Sequence, residues 1–537
     1  MVSQEKKPFR LDVIVIGAGF AGLYALHRLR GDGYSVRVLE AGGAIGGTWY
    51  WNRYPGARCD VESMQYSFSF SDEIQREWQW SQLYAPQPEI LRYINFVADK
   101  LDLRPDIQLD TRVVSATFDD KTKAWTVCTQ AGETFSAPFC IMATGCLSIP
   151  IVPTFSGMDD FTGDVYHTSD WPHEGVDLTG KRVGLIGTGS SGIQATPIFA
   201  EQVKQLYVFQ RTPNYSIPAL NKPMPDDYER AWKDSYKERR VAALDTRNNT
   251  LNEAGNVPGR LVSCDEREKE FERRWTTIGG ISFMYAYPDM TSDPEVNAHA
   301  SEFVRRKISL IVRDPDVAQK LTPTDYGIGG KRICVDTAYF ETFNRDNVTL
   351  IDVRNDPIET VTKTGIQTRS GSFGLDVIVL AIGFDAMTGA LLRIDITGRD
   401  GVKLRDRWSD GPKTYIGMAI SGFPNMFIVT GPGSPSVFTN MVTSIEQHIN
   451  WIAACIAHVK QTGHSAIEAT PQAEEKWVSH VNEVASKTMM PNANSWYVGA
   501  NVPGKPRIFM PYLGGAAVYK KVIEDVANRD YDGFRLA

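Results

Sequence analysis

The stretch FTGDVYHTSDWPHEGVDLTGKRVGLIGTGSSG, residues 161–192, decides how the rest of the chain can fold. In its second half a predicted strand, residues 182–186, leads into the glycine-rich turn Gly187-Thr188-Gly189-Ser190-Ser191-Gly192, and a helical pattern begins at Ile193. A strand, a GxGxxG turn and a helix in this order form the phosphate-binding part of a dinucleotide-binding domain. Five residues of this turn are therefore predicted to bind a nucleotide cofactor: Gly187, Thr188, Gly189, Ser190 and Gly192.

A second turn of the same type, Gly17-Ala18-Gly19-Phe20-Ala21-Gly22, lies near the N-terminus. The apolar run LDVIVI, residues 11–16, precedes it, and its lack of polar alternation is typical of a parallel strand buried on both faces. A further strand leads to Glu40, and an acidic residue about 20 positions after such a turn can bind the ribose hydroxyls. Gly17, Gly19, Gly22 and Glu40 are therefore predicted to bind a first dinucleotide.

The two predicted sites differ at the end of their second strands. In the second site the strand at residues 206–209 is followed by Gln210-Arg211-Thr212, without an acid. A guanidinium group can bind a 2′-phosphate through two charge-assisted hydrogen bonds, whereas a carboxylate would repel it. The first site therefore suits FAD or NAD and the second suits NADP, although Arg211 could also be a solvated surface charge.

Composition excludes several classes of protein. The 57 basic and 64 acidic residues give a net charge of -7, which argues against a nucleic-acid surface. The seven cysteines include no CxxC pair and no spacing suited to zinc, so we expect reduced thiols and no metal site. The most apolar helical stretch, residues 445–459, is shorter than the roughly 20 residues that span a bilayer. The N-terminal MVSQEKKPFR has no apolar core and is expected to be a short tail, so the protein should be cytoplasmic.

These patterns predict an α/β fold with two Rossmann-like dinucleotide-binding domains and an inserted helical subdomain. Charged helical runs at residues 227–240 and 265–274 mark the insertion, with Trp232, Phe271 and Trp275 turned inward. Further strands are expected near 415–418 and 426–430, with a long helix from Thr443. The expected segments are an FAD-binding domain at 1–150 and 386–537, an NADP-binding domain at 151–221 and 326–385, and the helical insertion at 222–325.

Two dinucleotide domains without a redox CxxC pair indicate a flavin that NADPH reduces and oxygen reoxidises. Two further motifs point the same way. Phe161, Gly163, His167, Trp171 and Pro172 fit the pattern FxGxxxHxxxWP, and Gly47 to Asp60, which includes Thr48 and Trp49, fits GxWxxxxYPGxxxD. With these motifs the chain resembles the type I Baeyer–Villiger monooxygenases, most closely the phenylacetone and steroid monooxygenase branch, over nearly its whole length.

The resemblance implies an enzyme that uses FAD, NADPH and O2 to insert oxygen next to the carbonyl of a small-molecule ketone. The product would be an ester or a lactone, formed through a C4a-peroxyflavin, and sulfides could also be oxidised. The alternative is a flavin-containing N- or S-oxygenase, a group that shares the early part of the linker motif but usually lacks its final Trp-Pro. The sequence determines neither which ketone is bound nor the oligomeric state, for which we expect a monomer.

The resemblance also implies roles for individual residues. Arg332 would be the active-site cation, with Asp60 as its carboxylate partner, although the residues around Asp60 by themselves suggest only a turn cap. Lys331, Arg211 and Thr212 would bind the 2′-phosphate of NADP. Gly47, Thr48 and Trp49 would approach the flavin cofactor.

Three further positions follow from the same resemblance. Trp496 would bind the nicotinamide nucleotide, and His167 and Trp171 would respond to cofactor binding, with His167 as a structural hydrogen-bonding group. Met441 would contact flavin or substrate, or serve only in packing. The walls of the substrate pocket are expected at residues 279–284 and 433–441 and near Tyr66.

Overall fold

The computed structural model describes residues 9–537, and residues 1–8, most of the expected N-terminal tail, lie outside them. It contains six β-sheets, two of which consist of five parallel strands each. Over the described part of the chain, no helix has both the length and the apolar character needed to cross a membrane. The predicted α/β fold class with two parallel-sheet units is confirmed.

The first parallel sheet contains the N-terminal glycine turn. Its strands, in spatial order, are Met426–Ile428, Phe139–Met142, Val13–Ile16, Val36–Leu39 and Ile107–Gln108. All four residues of Val13–Ile16 are buried, as the run of β-branched residues predicts. The strand Met426–Ile428 comes from the C-terminal part of the chain, which therefore returns to this sheet.

Helices cover the first sheet. The helix Phe20–Gly31 follows the glycine turn and packs against the long helix Met441–Gln461, where the Tyr24 hydroxyl donates to Asn450 Oδ1 at 2.8 Å. An additional sheet lies on the same unit and contains the strands Phe9–Arg10, Thr134–Ala137, Ala124–Thr129, Val113–Asp119 and Asp395–Thr397. The long helix begins two residues before its predicted start.

The second parallel sheet contains the glycine turn at residues 187–192. Its strands, in spatial order, are Val348–Asp352, Gln205–Gln210, Arg182–Ile186, Val377–Leu380 and Asp164–His167. The linker motif is thus partly an edge strand of this sheet. A small antiparallel sheet beside it contains Ile358–Thr362, Gly365–Thr368 and Ser372–Gly374.

The segment between residues 222 and 325 is mainly helical. It contains Asp226–Asp234, Tyr236–Leu244, Gly259–Leu261, Cys264–Arg273, Arg274–Ile278, Gly280–Tyr285, Pro294–Ile311 and Pro315–Leu321. Trp232, Phe271 and Trp275 are buried, as predicted. The expected helix over 227–240 is interrupted, because Ser235 leaves the helical conformation (φ -141°, ψ 34°) and its hydroxyl donates to the Ala231 carbonyl.

The remaining elements are short or peripheral. The other helices are Thr48–Trp51, Asp72–Glu77, Gln87–Lys100, Tyr339–Thr342, Gly389–Leu392, Leu404–Arg407, Pro471–Ser486 and Ala516–Asn528, and two strand pairs join Ser216–Pro218 to Cys334–Asp336 and Ile467–Ala469 to Phe534–Leu536. The prediction of a strand at 415–418 is wrong. Ile416 and Gly417 both have positive φ angles, 47° and 70°, and therefore form a turn. The predicted domain boundaries stay predictions.

Candidate active site

The two glycine turns have the same local geometry. Gly17 and Gly187 have φ angles of 107° and 110°, which favour glycine. A Cβ on Gly17 would lie 2.5 Å from the carbonyl oxygen of Ala143, and one on Gly187 would lie 2.4 Å from that of Ala381. In each case the contact is to the end of the neighbouring parallel strand, so both turns lie against the carboxyl edge of their sheet.

The third glycine of each turn is equally constrained. A Cβ on Gly22 would lie 1.8 Å from the Gly17 oxygen, and one on Gly192 would lie 2.1 Å from the Gly187 oxygen. The helices that begin at these turns have neither a side-chain cap nor an acidic residue in the first turn. Their N-terminal N–H groups and positive dipole ends therefore suit the pyrophosphates of two dinucleotides.

Glu40 closes the first turn. Its carboxylate accepts hydrogen bonds from the backbone N–H groups of Ala18, at 2.6 Å, and Gly42, at 2.8 Å. Burial raises the pKa of Glu40, and these hydrogen bonds oppose that rise. The carboxylate thus fixes the turn and retains lone pairs for a ribose hydroxyl.

The GxW motif lies against the first turn. A Cβ on Gly47 would lie 2.8 Å from Gly19 Cα, so the two backbones touch. Thr48 begins a short helix, and Trp49 Nε1 donates to the Tyr66 hydroxyl at 3.2 Å. The structure therefore brings Gly47, Thr48 and Trp49 to the predicted FAD site.

Arg332 and Asp60 form an ion pair. Arg332 Nη2 donates to Asp60 Oδ2 at 2.6 Å, and Nη1 donates to the Val437 carbonyl at 3.0 Å. The two side chains are only 24% and 21% exposed. The charge of Asp60 raises the pKa of Arg332 above its already high value, so the guanidinium stays charged at any pH at which the protein is folded. The carboxylate of Asp60 thus serves this pair and is not a simple turn cap.

A narrow cavity adjoins the pair. Its wall is formed by Asp60, Val61, Glu62, Tyr84, Asn248, Thr250, Asn252, Ile281, Ser282, Tyr285, Arg332, Val437, Phe438, Thr439 and Asn440. The expected walls at 279–284 and 433–441 both contribute. Residues 248–252 also contribute, although no motif pointed to them. The sequence feature that could have indicated them is the polar run NNT inside an otherwise charged helical segment. Met441 packs against the apolar cluster around Tyr497 and Phe509, and its contact with flavin or substrate stays a prediction.

Several cations lie at the end of the second sheet. The Lys331 ammonium lies 4.8 Å from the Tyr326 ring centre. Burial lowers the pKa of Lys331, and the nearby charges of Arg211 and Arg354 lower it further. Arg354 Nε donates to the Arg211 carbonyl at 3.2 Å, and Nη2 lies 3.5 Å from the Thr212 hydroxyl. Lys331, Arg211 and Arg354 thus lie in one neighbourhood, where Arg354 also forms an ion pair with Asp325.

No sequence pattern pointed to Arg354, but the sheet explains its position. It follows the strand Val348–Asp352, which pairs in parallel with Gln205–Gln210 so that Asp352 lies beside Gln210. Parallel strands end at the same edge, so the residues after each strand meet there. Thr188 contributes to the same edge, because its hydroxyl donates to the Thr212 carbonyl at 3.1 Å.

The Ser190 hydroxyl lies 3.7 Å from Cys334 Sγ. Burial raises the pKa of Cys334 to about 12, so the thiol is protonated at neutral pH. Ser190 and Cys334 connect the second glycine turn to the strand that follows Arg332. The second glycine turn therefore contacts the strand that begins two residues after Arg332.

The linker motif packs tightly. A Cβ on Gly163 would lie 2.3 Å from the Asp376 carbonyl oxygen, and Phe161 packs in the apolar cluster beneath the small antiparallel sheet. Trp171 is buried and stacks on Phe199, with ring centres 5.8 Å apart. Pro172 lies beside Trp171 on the wall of a surface groove.

His167 makes local hydrogen bonds. Its Nε2 lies 3.2 Å from the Ile151 carbonyl oxygen, and its Nδ1 lies 2.6 Å from the Ser169 hydroxyl. Burial lowers the pKa of His167, so the ring is neutral at pH 7. These contacts are those of a structural hydrogen-bonding group, the role expected for His167.

Trp496 begins a short 3-10 helix, and its ring centre lies 4.4 Å from that of Tyr497. The segment that follows is attached to the end of the second sheet. Asn501 Nδ2 donates to the Phe384 carbonyl at 2.8 Å, and Lys505 Nζ contacts Asp385 Oδ1 at 2.6 Å. The C-terminal segment therefore links the two nucleotide units near the predicted site.

Comparisons with known proteins agree with this arrangement. Residues 14–245 match a family model described as pyridine nucleotide-disulphide oxidoreductase. Acetone monooxygenase (methyl acetate-forming) of Gordonia sp. strain TY-5 is 42% identical over 98% of this chain and 99% of its own length. A Baeyer–Villiger monooxygenase of Pseudooceanicola batsensis is 43% identical over 97% of this chain and 95% of its own length.

Two further comparisons extend the range. Phenazine N-monooxygenase of Lysobacter antibioticus is 40% identical over 100% of this chain and 98% of its own length. The solved structure of an oxidised steroid monooxygenase bound to NADP is 51% identical, covers 98% of this chain and 99% of its own, and has a TM-score of 0.94. Since the sequence has no CxxC pair, the name of the matching family model describes the shared nucleotide-binding fold and not a disulfide reaction.

The two glycine turns and their helix ends define an oxidoreductase with one site for FAD and one for NADP, and both cofactor predictions are confirmed by the relatives. The relatives are monooxygenases that align with nearly the whole chain, so they define the class of enzyme more closely than the fold does. The chain belongs to the Baeyer–Villiger monooxygenase family of FAD-binding monooxygenases.

Proposed function

We propose that this protein uses NADPH and O2 to convert a small-molecule ketone into an ester or a lactone. The single observation that carries the proposal is the partly buried ion pair of Arg332 and Asp60 at the wall of a cavity next to two predicted nucleotide sites. The overall reaction is ketone + O2 + NADPH + H⁺ giving ester or lactone + NADP⁺ + H2O, which balances atoms and electrons.

FAD bound at the first glycine turn would accept a hydride from NADPH and activate O2. The protein residues have other tasks. Gly17, Gly22 and Gly47 allow the close backbone contacts that give the first turn the shape in which it would bind the pyrophosphate. Arg332 places a fixed positive charge at the cavity, where it stabilises the negative charge that develops on the ketone oxygen. Asp60 holds the guanidinium group in that orientation.

A second group of residues would bind the nicotinamide cofactor. Lys331, Arg211, Thr212 and Arg354 would bind the 2′-phosphate; their support is the contact of Arg354 with Arg211 and Thr212 and the influence of both arginine charges on Lys331. Trp496 would contact the nicotinamide nucleotide from the C-terminal segment, which is attached to the sheet end at Asp385. His167 and Trp171 would transmit cofactor binding through the edge strand of the second sheet.

Product analysis tests this proposal. The purified protein, loaded with FAD, is incubated with NADPH, ¹⁸O2 and cyclic, aryl or steroidal ketones. Incorporation of one labelled oxygen atom into an ester or lactone is expected. NADPH oxidation that stays at the ketone-free rate with every ketone, and yields only hydrogen peroxide, would overturn the proposal.

Oxygenation of nitrogen is the second candidate, because a phenazine N-monooxygenase is a relative of similar identity. Phenazine and a thioether are therefore included in the same assay. N-oxide formation without any ester would favour the alternative. The monomeric state and the cytoplasmic location expected from the sequence remain predictions.

A further inference from the structure

We infer that the cavity beside Arg332 contains a second polar subsite, formed by Thr250 and Asn252, which binds a neutral oxygen group that the substrate carries in addition to its ketone. The inference rests on the proposed function, because it names a class of ketone for the same cavity. The expected substrate is a hydroxyketone or a diketone, not a simple hydrocarbon ketone.

Two polar atoms on the cavity wall have no hydrogen-bond partner. Thr250 is only 4% exposed, and its hydroxyl is buried and unpaired. The amide nitrogen of Asn252, Nδ2, is also buried and unpaired, and both residues line the cavity that contains Arg332 and Asp60. An unpaired buried polar group reduces stability, so two of them on one wall indicate a ligand that supplies the missing partners.

Several other polar groups of the wall are occupied by protein partners. Glu62 accepts hydrogen bonds from Tyr228 and Gln65, Asn440 Nδ2 donates to the Gln65 carbonyl at 2.6 Å, and the Thr439 hydroxyl donates to the Ser436 carbonyl at 2.8 Å. Arg332 is held by Asp60 and by the Val437 carbonyl. Thr250 and Asn252 differ from these residues because one polar atom of each is buried without a partner in the protein.

The backbone that carries the two residues is fixed from several sides. Asn249 Nδ2 donates to the Ser444 hydroxyl at 3.4 Å, and the N–H of Leu251 donates to Gln65 Oε1 at 2.6 Å. The N–H of Asn440 donates to the Asn248 carbonyl at 2.9 Å. Because these contacts hold the segment in place, Thr250 and Asn252 are positioned before a ligand arrives, which lowers the entropic cost of binding.

The chemistry of the wall limits the ligand group. Asn252 Nδ2 can only donate, so the group must offer an acceptor, whereas the Thr250 hydroxyl can donate or accept. A hydroxyl or carbonyl oxygen satisfies both. A carboxylate does not suit the cavity, because Glu62 accepts from neutral donors and its negative charge faces the same space.

Matched pairs of ketones test the subsite. The pairs are 4-hydroxycyclohexanone with 4-methylcyclohexanone, 4′-hydroxyacetophenone with 4′-methylacetophenone, and a 20-keto steroid with and without a 3-hydroxyl group. For at least one pair, kcat/KM should favour the hydroxyl-bearing ketone by about tenfold, the size of one hydrogen bond to a neutral group. In the isosteric variants Thr250→Val and Asn252→Leu this preference should fall by about tenfold, mainly through KM.

Thr324→Val is the matched control, since Thr324 is exposed and does not line the cavity, and it should keep the wild-type preference. The rate at which NADPH reduces bound FAD without ketone reports whether each variant is folded. A wild-type enzyme without preference in any pair, or variants that keep the preference, would overturn the subsite.

Failure of the proposed function has a different signature, namely no ester from either member of any pair. In that case the subsite is tested by the affinity of the same ketones, measured from the perturbation of the flavin absorption spectrum. If wild type and both variants each bind the two ketones of every pair with equal affinity, the proposed subsite is refuted.

Discussion

Arg332 and Asp60 lie 272 residues apart in the chain, yet their side chains meet in a hydrogen bond of 2.6 Å. Asp60 follows the YPG turn of the FAD unit, whereas Arg332 precedes the strand Cys334–Asp336 beside the second glycine turn. The pair therefore joins the two nucleotide sites. A charged group held at their junction can act on a substrate while both cofactors are bound.

Replacing Arg332 should remove oxygenation and leave cofactor reduction intact. Arg332→Ala deletes the charge that stabilises the developing oxyanion, and loss of one such preorganised donor costs about 10² to 10³ in kcat. Reduction of FAD by NADPH, followed by stopped-flow absorbance, should continue, because this step does not need that charge. Ester formation at the wild-type rate in Arg332→Ala would contradict the assigned role.

Asp60→Asn should lower ester formation by about 10- to 100-fold, which corresponds to a lost hydrogen bond between charged groups. The variant keeps the size of the side chain and removes the negative charge that holds the guanidinium. As a control, Asp234→Asn changes an exposed carboxylate in the helical segment and should leave the rate unaltered. An Asp60→Asn enzyme with normal kcat and KM would show that Arg332 does not depend on its partner.

Arg354→Ala should weaken NADPH binding, although no motif marks this residue. A guanidinium that contacts a phosphate contributes hydrogen bonds of the charged type, so KM for NADPH should rise by about 10- to 100-fold. KM for NADH, which lacks the 2′-phosphate, should change little. Arg369→Ala, an exposed arginine of the same unit, serves as the control. Equal effects on both cofactors would indicate a structural role for Arg354.

NADPH affinity should depend on alkaline pH. Burial and the charges of Arg211 and Arg354 lower the pKa of Lys331. An ordinary lysine has a pKa of about 10.4, so in the free enzyme the Lys331 ammonium loses its proton at a lower pH than that. The charged form binds phosphate, so affinity is highest below that depressed pKa and falls as pH rises through it. Lys331→Arg should flatten this decline, because arginine stays charged. A parallel decline for NADH would point to another group.

Gly192→Ala should disrupt the second nucleotide site alone. The added Cβ would lie 2.1 Å from the Gly187 carbonyl oxygen, so the turn must shift. Binding of NADP⁺, measured by calorimetry, should be lost, while FAD remains bound at the first turn. Gly371→Ala is the control, since a Cβ there meets nothing within 4 Å. Unchanged NADP⁺ affinity in Gly192→Ala would refute the phosphate-binding role of this turn.

Local patterns determined a large part of this protein. A buried apolar strand, a glycine turn and a helix follow each other within about 20 residues, so the sequence was sufficient to predict both parallel sheets and their two dinucleotides. The motifs at residues 47–60 and 161–172 then indicated FAD and the family. The pattern failed where backbone geometry departs from residue preference. The apolar residues at 415–418 form a turn at Ile416, and Ser235 divides an expected helix.

Only the tertiary structure decided which distant residues meet. Parallel strands bring Arg354 to Arg211, the packing of the two sheet units brings Asp60 to Arg332, and the loop at 248–252 places Thr250 and Asn252 on the wall of the cavity. The physical reason is that hydrophobic periodicity specifies which face of a strand or helix is buried, but not the partner that covers it. That partner follows from the packing of whole elements far apart in sequence, so polar contacts made at their ends carry no local signal.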